Sequence, residues 1–166
     1  MELTFRAYTG EDLPELMEIW NDILEAGVAF PGTELYELPE FAAMLEEQSA
    51  VTCMFQDGSL AGYYILHPNN IGRCSHVANA SYAMKKEFRG RGLGKHLVEH
   101  SLSLAAELGF RGMQFNAVVA GNTAALKIYR GAGFQTVGVI PGGFLLKNGV
   151  YSDMYILYRP LAEQQQ

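Results

Sequence analysis

The sequence is poor in the residues that define several classes of protein. Its 166 residues include two cysteines, four histidines and one tryptophan. Cys53 and Cys74 lack CxxC spacing and the histidines form no HExxH, so we expect neither a disulfide framework nor a zinc site, and no bound metal. Few, unpaired thiols are typical of a reducing compartment, and we expect a soluble cytoplasmic protein.

Charged residues are also scarce, and negative charge predominates. Asp, Glu, Lys and Arg make up 18% of the chain, below the usual roughly one quarter, and the formal net charge is −6. Nucleic acid is not an expected partner, because its phosphates are bound by clustered Lys and Arg. No apolar stretch approaches the roughly 20 residues of a membrane span, and no apolar run follows basic residues at the N-terminus. We therefore expect neither membrane association nor a secretion signal.

Apolar residues make up 49% of the chain, enough for a substantial core. The residue patterns predict strands that alternate with helices in the middle and pair as hairpins at both ends. This order favours a mixed α+β sheet over a doubly wound one. We expect one domain over residues 1–160 and a frayed tail over residues 161–166. A strand is expected over Phe134 to Ile140, ended by a turn at Pro141-Gly142-Gly143.

The most informative stretch is Arg89-Gly90-Arg91-Gly92-Leu93-Gly94-Lys95, between a predicted strand, His76 to Met84, and a predicted helix, Gly92 to Leu108. The first N–H groups of a helix lack partners, glycines let an anion approach closely, and the helix end adds roughly half a positive charge. Such a loop is a cradle for phosphate or pyrophosphate. The clustered basic residues lie around it: Lys85, Lys86, Arg89, Arg91 and Lys95. A solvated basic turn is the alternative.

Three phosphate-binding motifs can be compared with this loop. Gly90 to Gly94 is one residue too tight for a nucleotide P-loop, and His96 replaces its hydroxyl residue. A dinucleotide fingerprint needs a glycine where Lys95 stands. The third motif, Arg/Gln-x-x-Gly-x-Gly/Ala, is the coenzyme A loop of the GCN5-related N-acetyltransferases (GNAT), which Arg89, Gly92 and Gly94 match.

A second segment strengthens the resemblance to the GNAT family. Asn122 to Phe134 resembles the family pattern of an Asn, a short helix that carries a Tyr, and Gly-Phe entering a strand. The resemblance covers Thr4 to about Tyr158. It implies a mixed, mostly antiparallel sheet, flanked by about four helices and splayed between two central parallel strands. It also implies an acetyl-CoA-dependent N-acetyltransferase, and a homodimer formed through the C-terminal strands.

The resemblance also implies where acetyl-CoA binds. The pantetheine is expected between the strands His76 to Met84 and Gly112 to Val119, bonded to the backbone of Tyr82, Ala83 and Met84. The diphosphate is expected on the backbone amides of Arg89 to Lys95. Asn122 is expected to contact the pantetheine, and a plain helix cap is the alternative or additional role.

The implied chemistry is direct attack of a neutral amine on the thioester. Tyr129 occupies the family's position for the acid. A phenol with a pKa of about 10 keeps its proton at neutral pH and can protonate a leaving thiolate with a pKa of about 8.5. A core-filling aromatic is the alternative role of Tyr129. The base stays open between His76, Asp153 and a water chain.

The acceptor is also suggested by resemblance. Arg73 to Ala80 and Gly90 to Leu102 resemble the yeast type of this family that acetylates the proline analogue azetidine-2-carboxylate. Asn79, Asn116 and Asn122 keep the separations of that type, in which the first two serve carboxylate binding and catalysis. An amide can hold a carboxylate without adding charge. Asparagines that satisfy strand edges are the alternative.

The loop Val28 to Glu37 and the following helix, Pro39 to Gln48, correspond to the region that lies over the acceptor in the family. Phe30, Glu34 and Tyr36 are therefore candidate pocket residues, with ordinary loop packing as the alternative. The sequence predicts an acetyl-CoA-dependent N-acetyltransferase for a small or amino-acid-like amine. Its rivals are a protein or peptide N-acetyltransferase and a non-catalytic acyl-CoA sensor.

Overall fold

A seven-stranded sheet forms the centre of the computed structural model, which describes residues 1–161. The strands are β1 Leu3–Ala7, β2 Ala50–Gln56, β3 Ser59–Pro68, β4 Val77–Met84, β5 Gly112–Val119, β6 Gln135–Leu145 and β7 Tyr151–Pro160. Their order across the sheet is β1-β2-β3-β4-β5-β7-β6. The described residues also form four α-helices: α1 Leu13–Ala26, α2 Leu38–Glu46, α3 Gly94–Glu107 and α4 Thr123–Gly131. None of these helices is long and apolar enough to cross a membrane.

The pairing of β4 with β5 is the exception in this sheet. The two strands are parallel, whereas every other neighbouring pair is antiparallel. Each strand has eight residues, but only two residue pairs, Val77 with Gly112 and Ala78 with Met113, are in register. We call the space beyond these pairs the β4–β5 gap. The predicted mixed, mostly antiparallel sheet with a central parallel splay is confirmed.

Two hydrophobic cores lie on opposite faces of the sheet. The helices α3 and α4 cover one face, and α1 and α2 cover the other. Residues of β4 alternate between the two cores, so that Ala80 and Tyr82 pack on the α3 side and Ala83 on the α1 side. Side chains beside the β4–β5 gap therefore reach both faces.

The expectation of a turn at Pro141-Gly142-Gly143 is wrong. Strand β6 continues through these residues, with an irregularity in its pairing between Ile140 and Phe144. The N–H of Gly142 donates to the Asp153 carboxylate at 3.0 Å, which stabilises the irregular backbone. A bulge can hold proline and glycine inside a strand, so Pro141, Gly142 and Gly143 do not end β6.

The last strand extends to the end of the predicted domain. Strand β7 runs to Pro160, and the N–H of Leu161 donates to the carbonyl of Arg111 at 3.1 Å. Leu161, the first residue of the predicted frayed tail, is therefore held by a backbone hydrogen bond. The rest of that tail, residues 162–166, lies outside the described residues.

Candidate active site

The loop between β4 and α3 is shaped by two glycines. Gly90 and Gly92 have φ angles of 76° and 74°, in the left-handed region that disfavours residues with a Cβ. A Cβ added at either position would meet no atom of residues 1–161 within 4 Å. The glycines are thus required by the backbone conformation rather than by crowding. We call residues 89–95 the glycine loop.

The backbone amides of the glycine loop are available to a ligand. Within residues 1–161, the N–H groups of residues 90–95 have no hydrogen-bond partner. Several of them lie at the N-terminus of α3, where the helix dipole adds positive potential. The side chain of Arg89 turns back to the protein, with Nε donating to the Met84 carbonyl at 3.2 Å, and the Arg91 guanidinium lies over the Phe88 ring. These features fit a diphosphate held by main-chain N–H groups.

A cavity of about 850 Å³ begins at the glycine loop and passes through the β4–β5 gap. Leu97, Ile128 and Tyr129 line it on the α3 side, and Ile23 and Phe30 line it on the α1 side. Since these two groups lie on opposite faces of the sheet, the cavity crosses the sheet. We call it the through-sheet cavity.

The backbone of β4 presents unpaired groups to this cavity. The N–H of Lys85 donates to the carbonyl of Ala61 in β3, so odd-numbered residues of β4 direct their backbone groups toward β3. Ala80, Tyr82 and Met84 therefore direct theirs into the β4–β5 gap, where β5 is out of register. The carbonyl of Met84 is already bonded to Arg89, which leaves mainly Ala80 and Tyr82 with both groups exposed to the gap.

The predicted cofactor residues divide into two groups. Ala83 pairs with Tyr63 of β3, is fully buried, and is absent from the cavity wall, as are Arg91 and Lys95. The residues that do line the through-sheet cavity are Tyr82, Met84, Arg89, Gly90, Gly92, Leu93, Gly94 and Asn122. Most of the predicted set is thus brought together along one wall.

Asn122 combines both roles considered for it. Its Oδ1 accepts a hydrogen bond from the N–H of Ala125 at 3.3 Å, which caps α4. The same residue lines the through-sheet cavity, and within residues 1–161 its side-chain NH₂ has no partner. Helix capping orients the amide, so that its NH₂ group is left for a ligand.

Tyr129 lies among aromatic rings at the α3 side of the cavity. Its ring centroid is 4.6 Å from that of Phe115 and 6.1 Å from that of Tyr82. Its hydroxyl makes no hydrogen bond to a described residue, and burial raises its pKa to about 12. The sequence-based value of about 10 is therefore too low. Transfer of its proton to a thiolate with a pKa of about 8.5 leaves a phenolate about 5 kcal/mol uphill, so the phenolate must regain a proton as the thiol forms.

Four amide side chains meet where β4 and β5 begin to diverge. The backbone carbonyl of Gln114 accepts from Asn79 Nδ2 at 3.0 Å, and Asn79 Nδ2 also donates to Asn69 Oδ1 at 3.2 Å. Asn69 Oδ1 accepts a second bond from Asn116 Nδ2 at 2.6 Å, and Asn116 Oδ1 accepts from Gln114 Nε2 at 2.8 Å. A backbone carbonyl can only accept, so this one group sets the orientation of all three asparagines. We call the four residues the amide cluster.

Several polar groups of the amide cluster have no hydrogen-bond partner among residues 1–161. Within residues 1–161, the Nδ2 of Asn69 has no partner and one N–H of Asn116 is free. Both N–H groups of Asn79 are committed, but its Oδ1 has no partner in the same range. Donors for an anion are thus available on Asn69 and Asn116, while Asn79 offers only an acceptor.

Asn69 is a site residue that the sequence reasoning missed. It follows β3 directly, and its N–H donates to the carbonyl of Val77 at 2.8 Å, so it extends the β3–β4 ladder. In the sequence it stands in Pro68-Asn69-Asn70-Ile71-Gly72, where turn propensity explains the asparagines fully. The pairing of β3 with β4, and of β4 with β5, brings it to Asn79 and Asn116.

The candidate pocket residues of the loop after α1 lie along two adjoining cavities. Phe30 packs against Trp20, with ring centroids 4.5 Å apart, and lines the through-sheet cavity. Phe30 also lines an adjoining cavity of about 680 Å³, together with Glu34 and Tyr36. Tyr36 is held there by Asn21, whose side chain bonds both its N–H and its carbonyl.

Neither sequence candidate for the base lines the through-sheet cavity. His76 is exposed, and its backbone carbonyl accepts from Arg111. Asp153 uses its carboxylate to bind the N–H of Gly142 in β6.

Comparison with known proteins identifies the family. Residues 13–134 match the family model described as Acetyltransferase (GNAT) family. The chain belongs to the GNAT acetyltransferase family. GNAT enzymes are acyltransferases that use acetyl-CoA, so the predicted family is confirmed, and the predicted enzyme class and co-substrate are those of the family.

Individual relatives agree with this assignment. The chain is 33% identical over 99 residues to the N-acetyltransferase aca1 of Schizosaccharomyces pombe, and the match covers 59% of this chain and 47% of aca1. The chain therefore spans about half the length of that relative. A solved GCN5-related N-acetyltransferase from Kribbella flavida is 30% identical with a TM-score of 0.88, covering 96% of this chain and 98% of that one. A phosphinothricin acetyltransferase from Sinorhizobium meliloti, solved with acetyl-CoA, has the same fold, with a TM-score of 0.91, 23% identity and coverage of 99% and 91%.

Replacement of Gly92 by alanine is predicted to weaken binding of coenzyme A. An alanine in the left-handed region costs about 1–2 kcal/mol. The variant loop relaxes to another conformation when no ligand is bound, and binding must restore the left-handed one. The affinity for coenzyme A should therefore fall about 5- to 30-fold. Isothermal titration calorimetry measures the change. Gly131→Ala is the matched control, because Gly131 has an ordinary φ and open space around it. Equal affinity of the Gly92 variant and wild type would contradict the role of the glycine loop.

Proposed function

We propose that the protein is an acetyl-CoA-dependent N-acetyltransferase whose acceptor is a small amine that carries a carboxylate. The observation that carries this proposal is the through-sheet cavity, which joins an anion cradle at the glycine loop to the amide cluster. Acetyl-CoA supplies an acetyl group on a thioester, which an amine can attack. The relative aca1 is named an N-acetyltransferase, which supports nitrogen as the acceptor atom.

The protein groups that would hold acetyl-CoA follow from the geometry. The free amides of residues 90–95 suit the diphosphate, and the backbone groups of Ala80 and Tyr82 suit the amides of the pantetheine. The NH₂ of Asn122 lies along the same wall. Tyr129 donates its hydroxyl proton to the leaving sulfur.

The amide cluster supports an acceptor with a carboxylate. Asn69 and Asn116 have free N–H groups that suit a carboxylate, and Asn79 Oδ1 suits the neighbouring ammonium. This set matches an α-amino or α-imino acid, in which the two groups are one carbon apart. The resemblance to the azetidine-2-carboxylate type points to the same class.

The cavity favours a small acceptor over a protein. The loop after α1 lines the α1 side of the through-sheet cavity, where we place the acceptor, with Val28, Ala29, Phe30 and Pro31. A peptide acceptor would need an open groove on this side. A non-catalytic acyl-CoA sensor would have no use for a phenol at the centre of the cavity, which makes the sensor the weaker rival.

Release of free thiol from acetyl-CoA across a panel of amines tests the proposed function. The panel pairs amino and imino acids with their carboxamides, and adds short peptides. Turnover is expected for the acids and much less for the carboxamides, because an amide lacks the anionic charge that the free donors of Asn69 and Asn116 suit. Binding of acetyl-CoA without thiol release for every amine would favour the sensor. Preference for peptides would favour the protein-acetylating rival.

Replacement of Tyr129 by phenylalanine is predicted to lower kcat about 100-fold or more, since general acid catalysis contributes about 10²- to 10⁴-fold. Affinity for coenzyme A should stay near that of wild type, because the ring is retained. Because the pKa of Tyr129 is about 12, wild-type activity should not fall through its ionisation below about pH 10. Tyr155→Phe, in the same core but away from the cavity, is the control. An unchanged kcat for the Tyr129 variant would remove the acid role.

We also propose that the protein forms a homodimer through β6. This strand is at the edge of the sheet, and its Val137, Val139 and Ile140 are 60%, 46% and 43% exposed. An exposed apolar edge favours pairing with another strand. Light scattering should give twice the chain mass of 18.3 kDa, and Val139→Lys should give the monomer mass. A monomeric wild-type protein at assay concentration would contradict the proposal.

A further inference from the structure

One histidine in the through-sheet cavity has no part in the chemistry described above. His67 is the penultimate residue of β3, is half-buried and lines the cavity. In the β3–β4 register it lies opposite Asn79. Opposed residues of antiparallel strands point to the same face, with Cβ atoms about 4.5–5.5 Å apart. The imidazole therefore lies beside the amide cluster, on the acceptor side of the sheet.

A hydrogen bond determines which nitrogen of His67 carries the proton. Its Nδ1 is 2.9 Å from the carbonyl oxygen of Pro68. A carbonyl oxygen can only accept, so in the neutral ring Nδ1 is the donor and Nε2 has the lone pair. No described residue donates a hydrogen bond to Nε2. The ring is thus arranged to accept a proton at Nε2.

No other side chain of the cavity wall suits this task. Arg89 and Lys127 are cations, and Tyr82 and Tyr129 are phenols whose pKa is raised by burial. Among the described residues, no aspartate or glutamate lines the through-sheet cavity. The carboxylates of the adjoining cavity belong to residues from the loop after α1 and from α2: Glu34, Glu37 and Glu40.

We propose that His67 Nε2 is the general base that takes a proton from the ammonium group of the acceptor. This inference rests on the proposed function. The N–H bond of the ammonium breaks, and the electron pair remains on nitrogen, which forms the bond to the acetyl carbon as the carbon–sulfur bond breaks. Sulfur receives a proton from Tyr129, and the second nitrogen proton restores the phenol. The net reaction releases one proton, which passes through His67 to water.

The dependence of activity on pH tests this role of His67. A base works only when deprotonated, so wild-type kcat/KM should fall as the solution becomes acidic, and the His67→Gln variant should lose this dependence. His67→Gln should lower kcat about 100-fold near neutral pH, with unchanged affinity for coenzyme A. Its defect should shrink as the pH rises and the free amine deprotonates in solution. His76→Gln, which alters an exposed histidine outside the cavity, should behave as wild type.

A second acceptor separates proton transfer from a structural effect. With an amine whose ammonium pKa lies below that of imidazole, the amine is already neutral at pH 7. The His67→Gln defect should then nearly disappear, whereas damage to the site would persist. An equal defect with both amines, or a pH profile identical to that of wild type, would overturn the role of His67 and leave the proposed function intact.

The tautomer of His67 can be measured without turnover. Long-range ¹H–¹⁵N NMR spectra of the neutral ring should show the proton on Nδ1. A proton on Nε2 would overturn the inference, even if the His67→Gln variant failed to fold. Absence of turnover by wild type with every amine would instead remove the proposed function, and this inference with it.

Discussion

The structure depends on the loss of pairing between β4 and β5 after two residue pairs. Unpaired backbone N–H and C=O groups inside a protein are costly unless something bonds to them. The chain satisfies part of this need itself: Asn79 bridges the narrow end of the gap to Gln114, and Arg89 bonds the Met84 carbonyl at the other end. The groups of Ala80 and Tyr82 between these points remain for a ligand. A strand-like pantetheine is the kind of molecule that replaces the missing strand pairs.

The same gap determines where the reacting groups stand. Because it connects the two faces of the sheet, the acid and the proposed base lie on opposite faces. Tyr129 belongs to the α3 side, where aromatic packing excludes water and raises its pKa. His67 and the amide cluster lie on the α1 side. This separation places the acid beside the leaving sulfur and the proposed base beside the acceptor nitrogen.

Local patterns predicted the parts of the site that are continuous in sequence. The strands that flank the gap, the glycine loop, the capped α4 and Tyr129 follow from periodicity, glycines and family resemblance. Features that depend on register between strands could not be predicted. Asn69 and His67 look like an ordinary turn residue and a strand-end residue until β3 pairs with β4. The backbone groups of Ala83 point toward β3 and away from the gap, and this direction is also set by the register. At Pro141 to Gly143, residues typical of a turn form a bulge inside β6, which Asp153 holds.

A crystal structure with coenzyme A bound tests the central claim most directly. The account predicts that the diphosphate lies on the backbone amides of residues 90–95. It further predicts that the pantetheine fills the β4–β5 gap with bonds to Ala80 and Tyr82, and that the sulfur lies beside the hydroxyl of Tyr129. Coenzyme A bound elsewhere, or a β4–β5 gap that closes into a continuous ladder, would contradict it.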